Sequence, residues 1–288
     1  MNLINKMSVY IHCHIGEIPD YLMDSFESIR YVDPLSRLIL ITDQDIEIDG
    51  IEILEVNKIA SRETEKVMGM SLFDNSSNPL WKTSMFRVFL VRDAIKHLNL
   101  SYCYHFDSDV LMFQSSDKFS HLIDDFDGLY ITYHTDDHVV FGFSRFGGIE
   151  KIDKICNILC DAIFDPVKQR EYNTTDMPNE MSLLCGIMRK NPDLIKTLNI
   201  LPNDNNVVFD PSSYGQYFGG TPDIDGRIGK SPGHYEDLHH IGKRIGEGVL
   251  KPIMIDKKPY VEFENKKYPI MNLHIHSKHT ELFNFWGK

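Results

Sequence analysis

Short apolar runs alternate with longer amphipathic segments along the first half of the chain. Apolar runs of strand length lie at residues 9–14, 38–42, 51–56, 102–106 and 129–134. Segments with helical periodicity lie at residues 20–30, 78–97 and 115–124, and Asn78-Pro79 is a typical helix start. Because strands and helices alternate, the pattern predicts an α/β fold with a mostly parallel central sheet flanked by helices.

The pattern changes in the second half of the chain. Helices are predicted at residues 151–164 and 179–189, and strands at 261–263 and 270–276. Between them, residues 202–248 are rich in glycine and proline, which is typical of irregular loops over a binding surface. No repeat or linker interrupts the sequence, so we predict one domain, residues 1–288, with a loop-rich C-terminal half.

The composition and net charge of the chain limit the classes of ligand that it is expected to bind. The chain has 288 residues, of which 42% are hydrophobic and 25% charged, as in ordinary globular proteins. It carries 30 lysines and arginines against 42 aspartates and glutamates, a formal charge of −12. Such a field repels a phosphate backbone, so we expect no nucleic-acid partner. A phosphorylated small ligand would need a cation to bridge it to an acidic site.

The number of cysteines and the sequence of the N-terminus bear on the cellular compartment of the protein. The five cysteines are an odd number, and they form no zinc-binding pattern. We interpret them as reduced, mostly buried thiols. The sequence contains neither a signal peptide nor an apolar run long enough for a transmembrane segment. We therefore expect a cytoplasmic protein.

Two carboxylates follow the predicted strand 102–106. Asp107 and Asp109 stand two residues apart where this buried run ends. In open α/β sheets, ligands bind beyond the carboxyl ends of the strands. Paired hard oxygen ligands there suit Mn²⁺ or Mg²⁺, with a diphosphate completing the coordination. The alternative is that both residues are turn or helix-capping residues.

A cationic element lies near the end of the sequence. His274 and His276 alternate along the predicted strand 270–276, so both side chains share one face, and Lys278 follows. Imidazole is an acceptable ligand for Mn²⁺ beside carboxylates, and lysine pairs with phosphate. We expect His279 to point elsewhere. The alternative is a solvated, histidine-rich edge strand.

These segments together resemble the nucleotide-sugar glycosyltransferases of the GT-A fold. Phe106-Asp107-Ser108-Asp109 is similar to their Asp-x-Asp metal motif, and residues 14–22 with 38–43 resemble their first nucleotide-binding strand–helix–strand unit. His274-Ile-His276-Ser-Lys278 resembles the C-terminal element of the retaining members, in which a histidine ligates manganese and a lysine contacts the donor diphosphate. Retaining galactosyltransferases place more residues between that histidine and lysine. The resemblance implies a Rossmann-type GT-A-like domain, with a nucleotide-sugar-binding half (1–135) and an acceptor-binding half (136–288).

The resemblance also implies roles for individual residues. The implied metal ligands are Asp107, Asp109 and one of His274 and His276. The implied donor-binding residues are Cys13, His14, Asp43, Lys82, Arg87, Asp107, Ser108 and Lys278. The implied catalytic or acceptor-side residues are Asp176, Glu180, Asp210 and Gln216. Each of these roles has a structural alternative. Lys82 and Arg87 could be a solvated helix face, and Glu180 could be an ordinary residue of a helix start. Residues 209–220 could be a structural loop.

The function that the resemblance implies is metal-dependent hexosyl transfer. The donor would be a nucleoside diphosphate sugar, UDP most readily, and the acceptor a hydroxyl of a glycan or lipid-linked glycan, which leaves room for peripheral membrane association. The C-terminal element favours retention of configuration. Two alternatives stay open: a metal-dependent phosphoester hydrolase with a two-metal centre, and a sugar-binding module without catalysis.

Overall fold

The computed structural model describes residues 7–73, 80–123, 125–203, 207–218 and 239–283. Its strands are β1 (Val9–His14), β2 (Arg37–Thr42), β3 (Glu52–Glu55), β4 (Tyr102–Phe106), β5 (Val110–Met112), β6 (Leu129–Thr135), β7 (His138–Gly147), β8 (Ile195–Leu198), β9 (Lys251–Ile255), β10 (Lys258–Phe263), β11 (Lys266–Pro269) and β12 (Asn272–His274). Its α-helices are α1 (Asp20–Val32), α2 (Val56–Ile59), α3 (Arg62–Met68), α4 (Leu80–His97), α5 (Ser120–Ile123), α6 (Ile149–Phe164), α7 (Pro166–Tyr172), α8 (Glu180–Lys190) and α9 (His240–Gly246). Short 3₁₀ turns lie at Ser116–Lys118, Tyr214–Phe218 and Thr280–Phe283.

Seven strands form the central sheet, in the order β3-β2-β1-β4-β7-β6-β8. The ladders among β3, β2, β1 and β4 are parallel, and β6 pairs with β8 in parallel. β7 alone runs against both of its neighbours, because a two-residue turn joins it to β6. The prediction of a mostly parallel sheet flanked by helices is confirmed.

Both faces of the central sheet are buried. Ile11 and Ile39 pack with α4, α6 and α8 on one face, while Tyr10 and Leu38 pack with α1 on the other. Successive strand residues point to opposite faces, so a strand covered on both sides is mostly apolar. This explains why residues 38–41 form an unbroken apolar run, and why the polar groups of the site stand at the strand ends.

The C-terminal half is more ordered than the glycine and proline content predicts. β9, β10 and β11 form an antiparallel sheet, and Val208, Phe209 and Tyr214 are buried in the core beside it. Residues 207–218 are irregular apart from one short 3₁₀ turn, as predicted for residues 202–248, but part of this segment is buried in the core instead of lying over the surface. The stretches 204–206 and 219–238 lie outside the described residues.

β12 brings the last described part of the chain to the end of β4. It pairs antiparallel with β5, so that His274 lies opposite Val110. The predicted strand 270–276 is thus limited to Asn272–His274, and His276 lies beyond it. This pairing places the C-terminal element beside the Asp-x-Asp turn.

The remaining expectations have mixed outcomes. All five cysteines are free and buried, as predicted. The predicted helix start at Asn78-Pro79 lies outside the described residues. None of the described helices has the length and apolar content that a bilayer crossing requires.

Candidate metal and diphosphate site

A cavity of roughly 670 Å³ opens at the carboxyl ends of β1 and β4. Eleven residues predicted from the sequence line it: Cys13, His14, Arg87, Asp107, Ser108, Asp109, Glu180, Gln216, His274, His276 and Lys278. They come from six separate segments, and the parallel strands bring the first of these segments to one edge of the sheet. The volume lies within the range of small-molecule sites, about 300–1,000 Å³.

Backbone hydrogen bonds fix the turn between β4 and β5. The Asp107 N–H donates to the Gly142 carbonyl (2.8 Å), and the Val110 N–H donates to the Asp107 carbonyl (3.1 Å). The Ile275 N–H donates to the Asp109 carbonyl (2.8 Å). The two carboxylates therefore stand on a backbone that is held from both neighbouring segments.

Asp107, Asp109 and His274 converge on one point. Each offers a ligand atom, and these atoms lie within 4.8 Å of one another. His274 Nε2 is 3.1 Å from Asp109 Oδ1. Two carboxylates with one imidazole suit Mn²⁺, and the carboxylates also suit Mg²⁺. The three side chains thus fit a divalent cation.

His274 rather than His276 joins the carboxylates. The two rings stack, with centroids 4.4 Å apart and planes 7° from parallel. His276 Nε2 is 2.7 Å from Ser212 Oγ, which turns this nitrogen away from the carboxylates. Of the two predicted histidine ligands, the geometry therefore selects His274 and assigns His276 a supporting contact.

Neighbouring cations keep both carboxylates ionised. Burial opposes ionisation, but the Arg87 guanidinium, 2.6 Å from Asp107 Oδ1, holds the pKa of Asp107 below its ordinary value. For Asp109, burial is likewise outweighed by His274 and Lys278, and its pKa is also lowered. Burial lowers the pKa of His274, yet Asp109 raises it more strongly. Asp107 with Arg87 and Asp109 with Lys278 thus form a preformed array of ion pairs.

Glu180 is a buried carboxyl that also lines the cavity. It begins α8, whose N-terminus is capped by Asn179. Its Oε2 accepts a hydrogen bond from Ser84 Oγ of α4 (2.8 Å). Burial raises the pKa of Glu180, opposed by Arg87 and Ser84. A carboxyl with a raised pKa in a cavity is suited to proton transfer or to holding a substrate hydroxyl.

The tautomer of His14 orients Ser108. His14 Nε2 is 2.9 Å from the Glu17 carbonyl, which only accepts, so Nε2 carries the proton. The unprotonated Nδ1, 3.0 Å from Ser108 Oγ, then accepts a hydrogen bond from the serine hydroxyl. The lone pairs of Ser108 Oγ are left for a donor in the cavity, such as a ribose hydroxyl.

Four predicted site residues do not line the cavity. Asp43 is exposed and accepts the Gly16 N–H (2.9 Å), so it supports the loop after β1. Asp176 is exposed before α8, and Lys82 lies on a part of α4 outside the cavity wall. Asp210 is buried, and its carboxylate is occupied by backbone donors. The predicted catalytic roles of Asp176 and Asp210, and the donor roles of Asp43 and Lys82, do not fit this geometry.

Asp210 instead holds the C-terminal element in place. Its Oδ1 accepts the N–H groups of Ser213 (2.6 Å) and Tyr214 (2.7 Å). Its Oδ2 accepts those of Gly215 (3.0 Å) and His274 (2.9 Å). One carboxylate therefore fixes both the 3₁₀ turn and the backbone of the histidine in the triad.

Replacing Asp210 by Asn should weaken this attachment. The amide nitrogen would face the N–H groups of Gly215 and His274, and hydrogen bonds to a charged group contribute about 1.5–3 kcal/mol each. We expect a lower free energy of unfolding in urea, together with weaker Mn²⁺ binding. Asp176→Asn, at an exposed position, is the control and should change neither quantity. Unchanged stability in Asp210→Asn would contradict this role.

The cavity is also lined by residues that were not predicted, among them Trp81, His134 and Gly142. β6 runs parallel to β4 across the intervening β7, so the carboxyl ends of both strands meet at the same edge. His134 lies at the end of the predicted strand 129–134. The rule that ligands bind beyond the carboxyl ends of strands, which identified Asp107, could therefore have identified His134 as well. Gly142 carried no sequence signal, because its importance lies in a side chain from residue 274.

Comparison with known proteins gives distant structural likenesses. No protein-family model and no curated protein matches the sequence. An apo structure of mouse xyloside xylosyltransferase 1 is similar with a TM-score of 0.45 and 8% identity, over 67% of this chain and 86% of that one. Apo GlyE, a glycosyltransferase of Streptococcus pneumoniae, has a TM-score of 0.44 and 12% identity, over 75% of this chain and 49% of GlyE. The chain spans about half the length of GlyE, and at these values the likeness carries no argument about activity.

Proposed function

We propose that this protein is a metal-dependent glycosyltransferase that moves a hexose-type sugar from a nucleoside diphosphate to an acceptor hydroxyl. The observation that carries the proposal is the convergence of Asp107, Asp109 and His274 beside two cationic side chains, Arg87 and Lys278, in one cavity. A divalent cation held there would supply Lewis-acid stabilisation of the departing diphosphate. UDP as nucleotide and a glycan or lipid-linked glycan as acceptor remain part of this proposal.

Lys278 and Arg87 supply fixed positive charge around the carboxylates. Lys278 Nζ contacts Asp109 Oδ2, and Arg87 Nη1 contacts Asp107 Oδ1. In a chain of charge −12, these groups offset the like charge that a diphosphate would meet. Because both are already oriented, they would stabilise developing negative charge on the leaving group with little reorganisation.

Glu180 would act on the acceptor side. Its raised pKa favours uptake of a proton, so in an inverting reaction it would serve as the base for the acceptor hydroxyl. In a retaining reaction it would position that hydroxyl instead. The C-terminal element favours retention, and the anomeric configuration of the product, determined by NMR, distinguishes the two courses.

The alternatives fit the site less well. A two-metal phosphoester hydrolase needs further ligands, and within the described residues only Asp107, Asp109 and His274 group as a metal site. A sugar-binding module has no need of two ionised carboxylates paired with cations. Incubation with UDP-sugars, a glycoside acceptor and Mn²⁺ separates the three functions. A transferase releases UDP as the sugar passes to the acceptor, a hydrolase that cleaves the diphosphate releases UMP and a sugar 1-phosphate, and a binding module releases neither.

Ligand binding should raise the melting temperature only when a divalent cation is present. A ligand at one hundred times its dissociation constant stabilises the folded state by about 2.7 kcal/mol. UDP with Mn²⁺ should therefore raise the melting temperature by about 5 °C. UDP with EDTA should do much less, because Asp107 and Asp109 then face the diphosphate uncompensated. An equal shift in EDTA would remove the metal from the proposal, and no shift with any nucleoside diphosphate would contradict it.

A further inference from the structure

The cavity continues beyond the ionic cluster to a wall formed by the end of β6. His134 lies on this wall, and its Nδ1 is 2.7 Å from the Pro211 carbonyl oxygen. A carbonyl only accepts hydrogen bonds, so the ring proton must be on Nδ1. In the neutral ring, Nε2 is then left as an acceptor with a free lone pair.

The surroundings keep this imidazole neutral. Burial, followed by the neighbouring His239, lowers the pKa of His134 to about 3. The two rings are 3.9 Å apart between centroids, and Ser213 Oγ lies 3.4 Å from Nδ1 of each. His134 is therefore a fixed, uncharged acceptor across the working pH range.

The cavity that His134 lines also has apolar walls. Val140, Phe141 and Trp81 contribute apolar surface to the same cavity, and Trp81 is 36% exposed. A phosphate or carboxylate would meet a lone pair here instead of a cation. A neutral hydroxyl can donate to Nε2, while the apolar groups cover the carbon face of a ring.

We propose that His134 forms a pyranose subsite, accepting a hydrogen bond from a sugar hydroxyl through Nε2. This inference rests on the proposed function, since it specifies the part of the cavity that holds a sugar. The sugar is that of the donor or that of the acceptor. A metal role is not favoured, because within the described residues His134 does not group with the metal-ligating set.

Two substitutions of His134 test the roles of its two ring nitrogens separately. In His134→Asn the amide nitrogen can still donate to Pro211, but no acceptor reaches the position of Nε2. In His134→Gln the longer amide places an oxygen near the position of Nε2 and leaves Pro211 without its donor. We expect His134→Asn to keep the stability and lose sugar recognition, and His134→Gln to show the reverse.

Calorimetric titration in the presence of Mn²⁺ gives the dissociation constants of UDP, UDP-glucose and UDP-galactose. These constants show whether the sugar of the donor occupies the subsite. If the donor sugar occupies the subsite, His134→Asn weakens a UDP-hexose by about 10-fold and leaves UDP unchanged. If the acceptor occupies it, these constants stay unchanged and the KM for a methyl glycoside acceptor rises by a similar factor. Weakening of UDP itself to the same extent, or no change in any constant, would overturn the subsite.

A measurement without nucleotide tests the pyranose subsite separately from the proposed glycosyltransferase activity. Saturation-transfer NMR with methyl glucosides and galactosides probes the pyranose subsite directly, whether or not the protein transfers sugar. Signals in the wild type and His134→Gln that disappear in His134→Asn support the subsite even if no UDP is released. Equal signals in all three proteins, or none in any, contradict it.

Discussion

Replacing Asp109 by Asn is expected to reduce sugar transfer by about 10³-fold, the upper range for loss of one preorganised electrostatic group. Asp109 is 4% exposed, it faces His274 at 3.1 Å, and it is paired with Lys278. The amide keeps the shape of the side chain, but it removes the anionic ligand and leaves Lys278 without its counter-charge. Mn²⁺ affinity by calorimetry and UDP release with Mn²⁺ measure the two consequences.

Asp45→Asn is the matched control for this substitution. Asp45 is exposed, and the same loss of one negative charge there should leave both measurements unchanged. Circular dichroism establishes whether Asp109→Asn is folded. A folded Asp109→Asn variant with wild-type turnover in Mn²⁺ would refute the metal site.

The second large effect is expected at Gly142, which lies on β7 behind the triad. A Cβ at this position would lie 2.8 Å from Nδ1 of His274 and 3.3 Å from Oδ2 of Asp107. The ring of His274 would have to move, because the strand that carries residue 142 is fixed in the central sheet. We expect Gly142→Ala to weaken Mn²⁺ binding by about 10- to 100-fold, as do other changes to groups that orient metal ligands.

Gly246→Ala provides the control for Gly142→Ala. A Cβ at position 246 meets no atom within 4 Å, so this substitution in α9 should leave Mn²⁺ affinity at the wild-type value. Calorimetric titration of both variants with Mn²⁺ makes the comparison. Equal affinities in the two variants would mean that His274 does not need the space that glycine leaves.

The sequence predicted the site best where its residues are close together along the chain. The apolar run of β4 and the two carboxylates after it form a local pattern, and periodicity with turn chemistry is enough to locate it. β1, with His14 at its end, was found for the same reason. Parallel strand order then brings these two strand ends together, because the carboxyl ends of parallel strands share an edge.

Contacts between distant segments could not be predicted. The choice between His274 and His276 depends on Ser212, which lies 64 residues from His276 in sequence. Aspartate is a residue type that is common in catalytic sites, but the carboxylate of Asp210 already accepts hydrogen bonds from four backbone N–H groups. A sequence pattern gives the type of a polar side chain, and only the fold determines whether its hydrogen-bonding capacity is already used.

The pairing of β12 with β5 has a consequence for synthesis of the protein on the ribosome. Lys278 lies 169 residues after Asp109, so a nascent chain exposes both aspartates long before the imidazole and the ammonium group are translated. During that interval Arg87 is present for Asp107, whereas Asp109 has neither His274 nor Lys278. A chain released before residue 274 would therefore lack the cation site, and metal binding would report on completed translation through this residue.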